Sequence, residues 1–342
     1  MQIMRDWNSY LKSNVMDWLL EEKNPSVRYF TLKDLLNKSD DDKEVIKSKE
    51  NIMNSGIVEK ILNRQTKGGY WGVPEDFYVS SKYKGTVWTL LLLAELGADR
   101  NDKRIKNACE FILQHSQDME SGAFAYRSNK KGNGDPYKVL SCLTGNMLFS
   151  LIRFGYFEDP RIQKGINWII KYQRYDDGIE EAPNGWPYNI GSKKGEACWG
   201  KHTCHMGVVK SLKALAEVPL SKRSVRIKDT INKAAEYVLI HHIYKQSHNL
   251  DVIAKQEWTH FGFPLMWKID VLEVLDILTK IGFRDDRMKE AIDLVVSKQN
   301  EKGRWILEKT FYGRMQVNIE HKGKESKWIT LFALRVLKRF YS

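Results

Sequence analysis

A short motif recurs along this chain and restricts what it can fold into. Gln65-Thr-Lys-Gly-Gly69-Tyr-Trp71 reads Q-x3-G-x-W, and Gln299-Asn-Glu-Lys-Gly303-Arg-Trp305 repeats it. Gln117-Asp-Met-Glu-Ser-Gly122-Ala-Phe124 carries one extra residue and has Phe for Trp. Gln173-Arg-Tyr-Asp-Asp-Gly178 shares the insertion, and Gly185-Trp186-Pro187 follows in the same loop. The glutamines stand about 50–60 residues apart, and the long gap before Gln299 holds two such steps, so a decayed copy is expected near His241 to Gln246. Units of this kind bury their apolar faces only against their neighbours.

Each glutamine closes an amphipathic helix. Ile105, Ala108, Cys109 and Ile112 follow i, i+3, i+4, i+7, and Ile162, Ile166, Ile169 and Ile170 keep the same face. Ile227 to Val238 and Met288 to Val296 do likewise. That period leaves one side wet. After each loop comes a helix of another character: Thr86 to Gly97 is apolar nearly all round, and Cys142 to Phe154, Gly207 to Ala216, Leu265 to Ile281 and Trp328 to Leu337 resemble it. A helix apolar on all sides is buried on all sides. Alternating half-wet and buried helices predict an outer and an inner layer. Inner helices covered on both faces favour closure into a ring, so the expected fold is all-α, an α/α toroid of about six helical hairpins. Five repeat units are expected over residues 51–342. An N-terminal helical pair is expected within 1–50, from Trp7 to Glu22 and from Pro25 to Leu36, with Pro25 in a first helical turn. No linker or compositional break appears, which predicts one domain over residues 1–342.

Composition narrows the function classes. With 42% apolar and 29% charged residues over 342 positions the chain has enough apolar mass for a core, which excludes a disordered protein. Only 8 Pro and 23 Gly argue against a turn-rich β-protein. No run approaches the length that spans a bilayer, and no signal-peptide pattern opens the chain. Four cysteines make no disulfide framework, so a reducing, cytoplasmic setting is expected. The net charge of +12 comes from scattered lysines with no nucleic-acid-binding signature, so nucleic acid is not an expected partner.

The repeated motif, its spacing and the helix alternation resemble the terpenoid cyclase and protein prenyltransferase β-subunit superfamily over roughly residues 50–342. The resemblance implies that the Gln and Trp residues tie neighbouring hairpins together, and that an apolar, isoprenoid-like or lipid-like substrate occupies a central cavity. Polyene cyclases of this superfamily protonate an alkene with a D-x-D-D motif, which is absent here; Asp176-Asp177 reads as a solvated turn and Asp285-Asp286 as a helix start. The prenyltransferase branch holds zinc at the starts of inner helices through a stretch of the type H-T-C-x-C-L-S-G. Here His202-Thr-Cys204-His205-Met-Gly207 opens an inner helix, so the resemblance places His202 as a zinc ligand, implies zinc as cofactor, and implies a helical α-subunit-like partner. The paired Asp-x-Cys of that branch has no match in this chain.

The densest reactive cluster is Cys198-Trp-Gly-Lys-His202-Thr-Cys204-His205. On a helix, Cys198, His202 and His205 share a face, and with Cys204 they make a candidate metal set suited to zinc. Aligning the ends of the inner helices sets Asp270 level with Cys204 and Cys142 level with Thr203. His202, His205, Cys204, Asp270 and Cys142 are therefore the candidate catalytic residues, with Cys142 and Cys204 expected to ionise readily at helix starts. Asp270, alone in an apolar helix, needs a partner, for which Lys268, Arg314 and Lys327 stand nearest. Trp88, Trp186, Trp199, Trp258, Trp267 and Arg314 are the candidate cavity lining, whereas His241, His242 and His248 read as loop residues. Two rival functions stand beside the enzyme: a non-catalytic toroid holding a lipid, a peptide or a protein partner, and a carbohydrate-active barrel, which requires facing carboxylates that the inner helices are expected to supply sparsely.

Overall fold

The structure is a computed structural model describing residues 7–79, 82–178, 180–188, 198–200 and 202–342. Along the chain run α1 (Met16–Leu19), α2 (Pro25–Phe30), α3 (Lys43–Met53), α4 (Gly56–Leu62), α5 (Thr86–Glu95), α6 (Lys103–His115) and α7 (Ser141–Arg153). They continue with α8 (Pro160–Tyr172), α9 (His205–Ala216), α10 (Val225–Ile240), α11 (Val271–Lys280), α12 (Lys289–Ser297) and α13 (Lys327–Tyr341). A one-turn π-helix, Thr31–Leu35, extends α2.

The inner ring is α2, α5, α7, α9, α11 and α13. Each of α5, α7, α9 and α11 packs on the next inner helix, and α13 returns to α2. The seam between α2 and α5 is tight: a Cβ at Gly97, just past α5, would stand 3.1 Å from the Phe30 ring. Every residue of α7 from Ser141 to Ile152 is buried, as is Thr86 to Ala94 of α5. Outer helices α6, α8, α10 and α12 bury only one stripe, as their period requires. The fold is thus the α/α toroid that the alternation predicts.

The glutamine-glycine-aromatic loops explain the closure. Gln65 Nε2 donates to the Arg104 carbonyl at the start of α6 (2.8 Å), and Gln117 Nε2 to the Arg161 carbonyl at the start of α8 (2.8 Å). Gly69 has φ +82°, and a Cβ there would lie 2.9 Å from Asn107 on α6, so both conformation and proximity require glycine. Trp71 and Trp305 are fully buried, and their indole N–H groups donate to the carbonyls of Ile61 (2.8 Å) and Val295 (2.7 Å). Each loop is also pinned to the following inner helix: Thr86, Thr144 and Thr330 hydroxyls accept from the backbone N–H of Trp71, Phe124 and Trp305 at 3.0–3.1 Å.

Two expectations change. The segment expected to be helical from Trp7 to Glu22 holds only a 3-10 turn (Trp7–Tyr10) and the four-residue α1. The decayed copy of the motif is a β-hairpin, β1 (Lys245–Gln246) with β2 (Asn249–Ile253). A second two-stranded ladder joins β3 (Trp305–Ile306) to β4 (Glu325–Ser326).

Candidate functional site

The predicted reactive residues gather at the N-terminal ends of the inner helices, but not around one point. His202 is exposed and rests on the Asp177-Gly178 turn, where a Cβ at Gly178 would collide with its ring. His205, the first residue of α9, is buried. Its ring packs tilted against Trp258 at 4.5 Å and meets His241 edge-on at 5.2 Å, and its Nε2 has no hydrogen-bond partner among the described residues. Burial pushes it down from 6.5 to about 3, with His241 and Lys255 adding to the effect. The Cys204 sulfur caps α9 by accepting from Gly207 N–H (3.4 Å). Its thiol is raised well above its ordinary value by the bond to Cys198 and by burial, the reverse of the easy ionisation expected from its helix-start position.

Among the described residues no three His, Cys, Asp or Glu side chains are grouped to hold a metal ion. His202 is exposed and His205 buried, and the set His202, Cys204, Cys198 and His205 is not grouped as a zinc shell requires among the described residues.

Sequence reading missed the role of the acidic turn. Asp176 is engaged by Arg174 and by the Thr203 hydroxyl (3.0 Å), which ties the turn to the start of α9. Asp177 accepts from His241 Nε2 (3.0 Å) and from Ser247 Oγ, while His241 Nδ1 faces the Lys245 carbonyl (2.9 Å). His241 is therefore buried and bonded rather than a surface loop residue. The pairing joins positions 64 residues apart, beyond any local pattern.

The expected cavity aromatics pack elsewhere. Trp88 is fully buried against Tyr78 (4.6 Å) and Tyr83 (5.2 Å), and Trp267 Nε1 donates to the Tyr83 hydroxyl (3.0 Å). The Arg314 guanidinium lies 5.1 Å over the same tyrosine. Trp186 and Trp199 belong to a separate cluster with Tyr172 and Tyr188, and Trp258 backs His205.

A partly open cavity of about 140 Å³ lies instead along the ring axis, lined by all six inner helices. Its aromatic part is Phe30, Phe149, Phe263, Trp328 and Phe332. Its polar part comes mostly from the C-terminal halves of the helices: the carboxylates of Asp34, Glu95, Glu217, Asp270, Glu273 and Asp276, and the cations Arg153, Lys213, Lys280, Arg335 and Arg339. The inner helices therefore supply many carboxylates, not few.

These charges are paired in chains. Lys210 Nζ sits 2.7 and 2.8 Å from the two Glu273 oxygens, and Lys213 bridges Glu273 (2.9 Å) to Glu95. Glu217 takes Arg153 (3.3 Å) and Lys280 (2.6 Å), and Arg339 meets Asp276 (2.8 Å). Burial works to raise the Glu273 carboxyl, but Lys210 and Lys213 outweigh it and hold it below its ordinary range.

Asp270 behaves differently. It caps α11: Oδ1 accepts from Glu273 N–H and Oδ2 from Gly262 N–H, both at 2.8 Å. Backbone donors, not Lys268, Arg314 or Lys327, are its hydrogen-bond partners. Burial raises its carboxyl from 3.8 to about 7; the two N–H bonds oppose that and the Glu273 charge reinforces it. Two carboxyls one helical turn apart on the cavity wall are thus driven in opposite directions. The signal was present in the sequence as charges at helical spacing within apolar helices: Lys210, Lys213 and Glu217 on α9 and its cap, Glu273, Asp276 and Lys280 on α11, Arg335 and Arg339 on α13.

The chain belongs to the prenyltransferase alpha-alpha toroid domain family, which matches residues 3–239. Among solved structures it is similar to an unsaturated glucuronyl hydrolase specific for heparin (11% identity, 93% of this chain and 85% of that one, TM-score 0.50). It is also similar to the type II terpene cyclase MstE from Scytonema (13% identity, 93% and 87%, TM-score 0.42) and to a protein from Actinoplanes (13% identity, 95% and 90%, TM-score 0.44). At these identities the likeness is one of fold. No curated protein matches the chain in sequence. No helix among the described residues is long and apolar enough to cross a membrane.

Proposed function

We propose that this chain is a toroid enzyme that transfers a proton to a compact, partly apolar substrate held in the axial cavity, with Asp270 as the donor. The observation that carries this reading is the pair Asp270 and Glu273. One carboxyl is poised near neutrality, its neighbour is held ionised, and both line a cavity that also presents aromatic rings. A donor near pH 7 is protonated often enough to act and acidic enough to release its proton. Phe263, Trp328 and Phe332 offer π faces, and Glu273 a fixed negative charge, to positive charge developing on the substrate.

The cavity also limits the substrate. Its volume is below the roughly 300–1,000 Å³ of sites for drug-sized ligands, which favours a short isoprenoid or similar unit over a long polyprenyl chain. A diphosphate head would meet six carboxylates, with the cations there already engaged in ion pairs. A neutral polar end, such as an alcohol, suits that lining better.

A second reading, a binding toroid without turnover, is favoured by the two backbone bonds to Asp270, which suffice to explain its presence as a helix cap. Incubation with a short-chain prenyl alcohol in heavy water separates the two. The enzyme reading expects carbon-bound deuterium in the recovered ligand, lost in Asp270→Asn while binding by native mass spectrometry persists. Binding without deuterium uptake supports the second reading. Unchanged uptake in Asp270→Asn removes Asp270 as the donor.

A further inference from the structure

A second cleft, apart from the axial cavity, opens beside the first turn of α2. Its volume is about 550 Å³, within the roughly 300–1,000 Å³ of sites for drug-sized ligands. It runs between the start of α2, outer helix α4 and the loop that precedes α13. Trp328 lines both this cleft and the axial cavity, so its side chain stands between them.

The cleft has two unlike sides. Val27, Ile57, Leu96, Val317 and Trp328 make an apolar floor, of which Val27, Leu96 and Trp328 are buried. Lys23, Lys60 and Arg64 supply charge, and no carboxylate lines the cleft among the described residues, in contrast to the six of the axial cavity. Two of these cations are partly engaged: Lys23 Nζ lies 2.8 Å from Glu21, and an Arg64 N–H donates to the Gln316 carbonyl. Lys60 makes no ion pair or hydrogen bond with its side chain among the described residues. Two further polar side chains line the cleft without an internal role. Asn24 holds the N-cap position of α2 but makes no cap bond with its side chain. Ser26 is only 8% exposed, and its hydroxyl has no partner among the described residues. A buried hydroxyl in that state calls for an acceptor from outside the protein.

We propose that this cleft binds an amphipathic carboxylate, a medium-chain fatty acid or an acid of similar shape. Its hydrocarbon lies on the floor made by Val27, Leu96 and Trp328, where burial of apolar surface supplies affinity. Its head meets Lys60 and Arg64, which stand four positions apart, with Asn24 and Ser26 as hydrogen-bonding groups. A single negative charge suits these cations. With Lys23 and Arg64 partly engaged, the Lys60 ammonium and the remaining N–H groups of the Arg64 fork match one carboxylate, which a guanidinium meets in its own plane. A phosphate, with its greater charge, would call for more unpaired cations than the cleft holds. The site shares only Trp328 with the axial cavity and does not rest on proton transfer from Asp270.

Isothermal titration calorimetry of the full chain with octanoate tests this, with 1-octanol, butanoate and octyl phosphate as comparators. One octanoate per chain should bind, more weakly as salt is raised. 1-Octanol should bind about tenfold more weakly for want of the charge, and butanoate more weakly for want of hydrocarbon. Octyl phosphate should bind no tighter than octanoate. Lys60 is exposed, so Lys60→Gln keeps the fold, and it should weaken octanoate binding at least about threefold. Ile57→Glu, at a half-buried position on the floor, should abolish binding. Asp270→Asn should bind octanoate like the parent. The proposal is overturned by absence of octanoate binding, by equal affinity for 1-octanol and octanoate, by tighter octyl phosphate, or by parent-like binding in either cleft variant. Loss of octanoate binding in Asp270→Asn would also overturn it, since the ligand would then sit in the axial cavity. Deuterium transfer to a prenyl alcohol is read separately, so the two readings fail independently.

Discussion

The side-chain amide of Gln299 donates to the carbonyl of Tyr10 across 3.2 Å, and its oxygen accepts from Lys12 N–H. This is the bond that Gln65 makes to Arg104 and Gln117 to Arg161, but here it reaches from the last repeat to the beginning of the chain. Gly303 completes the parallel: its φ is +74°, and a Cβ there would lie 2.6 Å from the Ser13 carbonyl. The irregular 7–14 segment takes the place a further outer helix would occupy, so the ring closes through polar contacts made by the same motif.

Gln299→Ala should therefore open the seam. Losing both ends of the amide removes two part-buried hydrogen bonds, to the Tyr10 carbonyl and from Lys12 N–H, at a cost of about 0.5–1.5 kcal/mol each. Limited proteolysis should show faster cutting before α1 while the inner ring stays protected. Equal protection of the N-terminal segment in variant and parent would show that the seam is held by other contacts.

Trp71→Ala and Trp305→Ala should each destabilise by about 3–5 kcal/mol, since both rings are fully buried and each loses its indole bond to a carbonyl. Denaturant unfolding measures this. A loss below about 1 kcal/mol would mean that the loops collapse to fill the space.

Asp270 makes stability fall with rising pH. Its carboxyl goes from 3.8 in the unfolded chain to about 7 in the fold, so the folded state holds a proton that the unfolded state releases. The contribution is fully present below about 3.8 and is lost as pH climbs through about 7. Asp270→Asn should flatten that part of the stability profile. It should also cost about 1–3 kcal/mol at every pH, because an amide offers only one acceptor to the two N–H groups. An unchanged slope between parent and variant would remove Asp270 as the group responsible.

His205 acts in the opposite sense. Its folded value of about 3 lies below the ordinary 6.5, so the unfolded chain takes up a proton that the buried ring refuses. Its contribution is present above about 6.5 and declines as pH falls towards about 3. His205→Phe, which keeps an aromatic ring against Trp258, should reduce acid sensitivity in that window. Histidine proton resonances followed by NMR should show one ring, that of His205, that stays neutral well below pH 6.5.

The arrangement of Gln65, Gly69 and Trp71 was readable from the chain because every element of it is local. A helix ends, a glycine takes a positive φ, and an aromatic residue follows at fixed spacing. The contrast between Ile105–Ile112, apolar on one stripe, and Thr86–Ala94, apolar all round, likewise determined which helices face water and which face the ring. The pairing of Lys210 with Glu273, of His241 with Asp177 and of Asp270 with Gly262 N–H could not be read in that way. Whether a charged residue on a helix is solvated or sealed into a cavity depends on which helix lies opposite, and in the first two cases the partner is 63 or 64 residues away. The residues thought to share one metal, His202 and His205, were separated for a related reason. His202 precedes the first turn of α9, so helical spacing does not govern it, and tertiary packing leaves it exposed against Gly178 while His205 is buried against Trp258. Periodicity is a property of one segment and survives in the sequence; the environment of a charge is set by several segments at once and exists only when they are brought together.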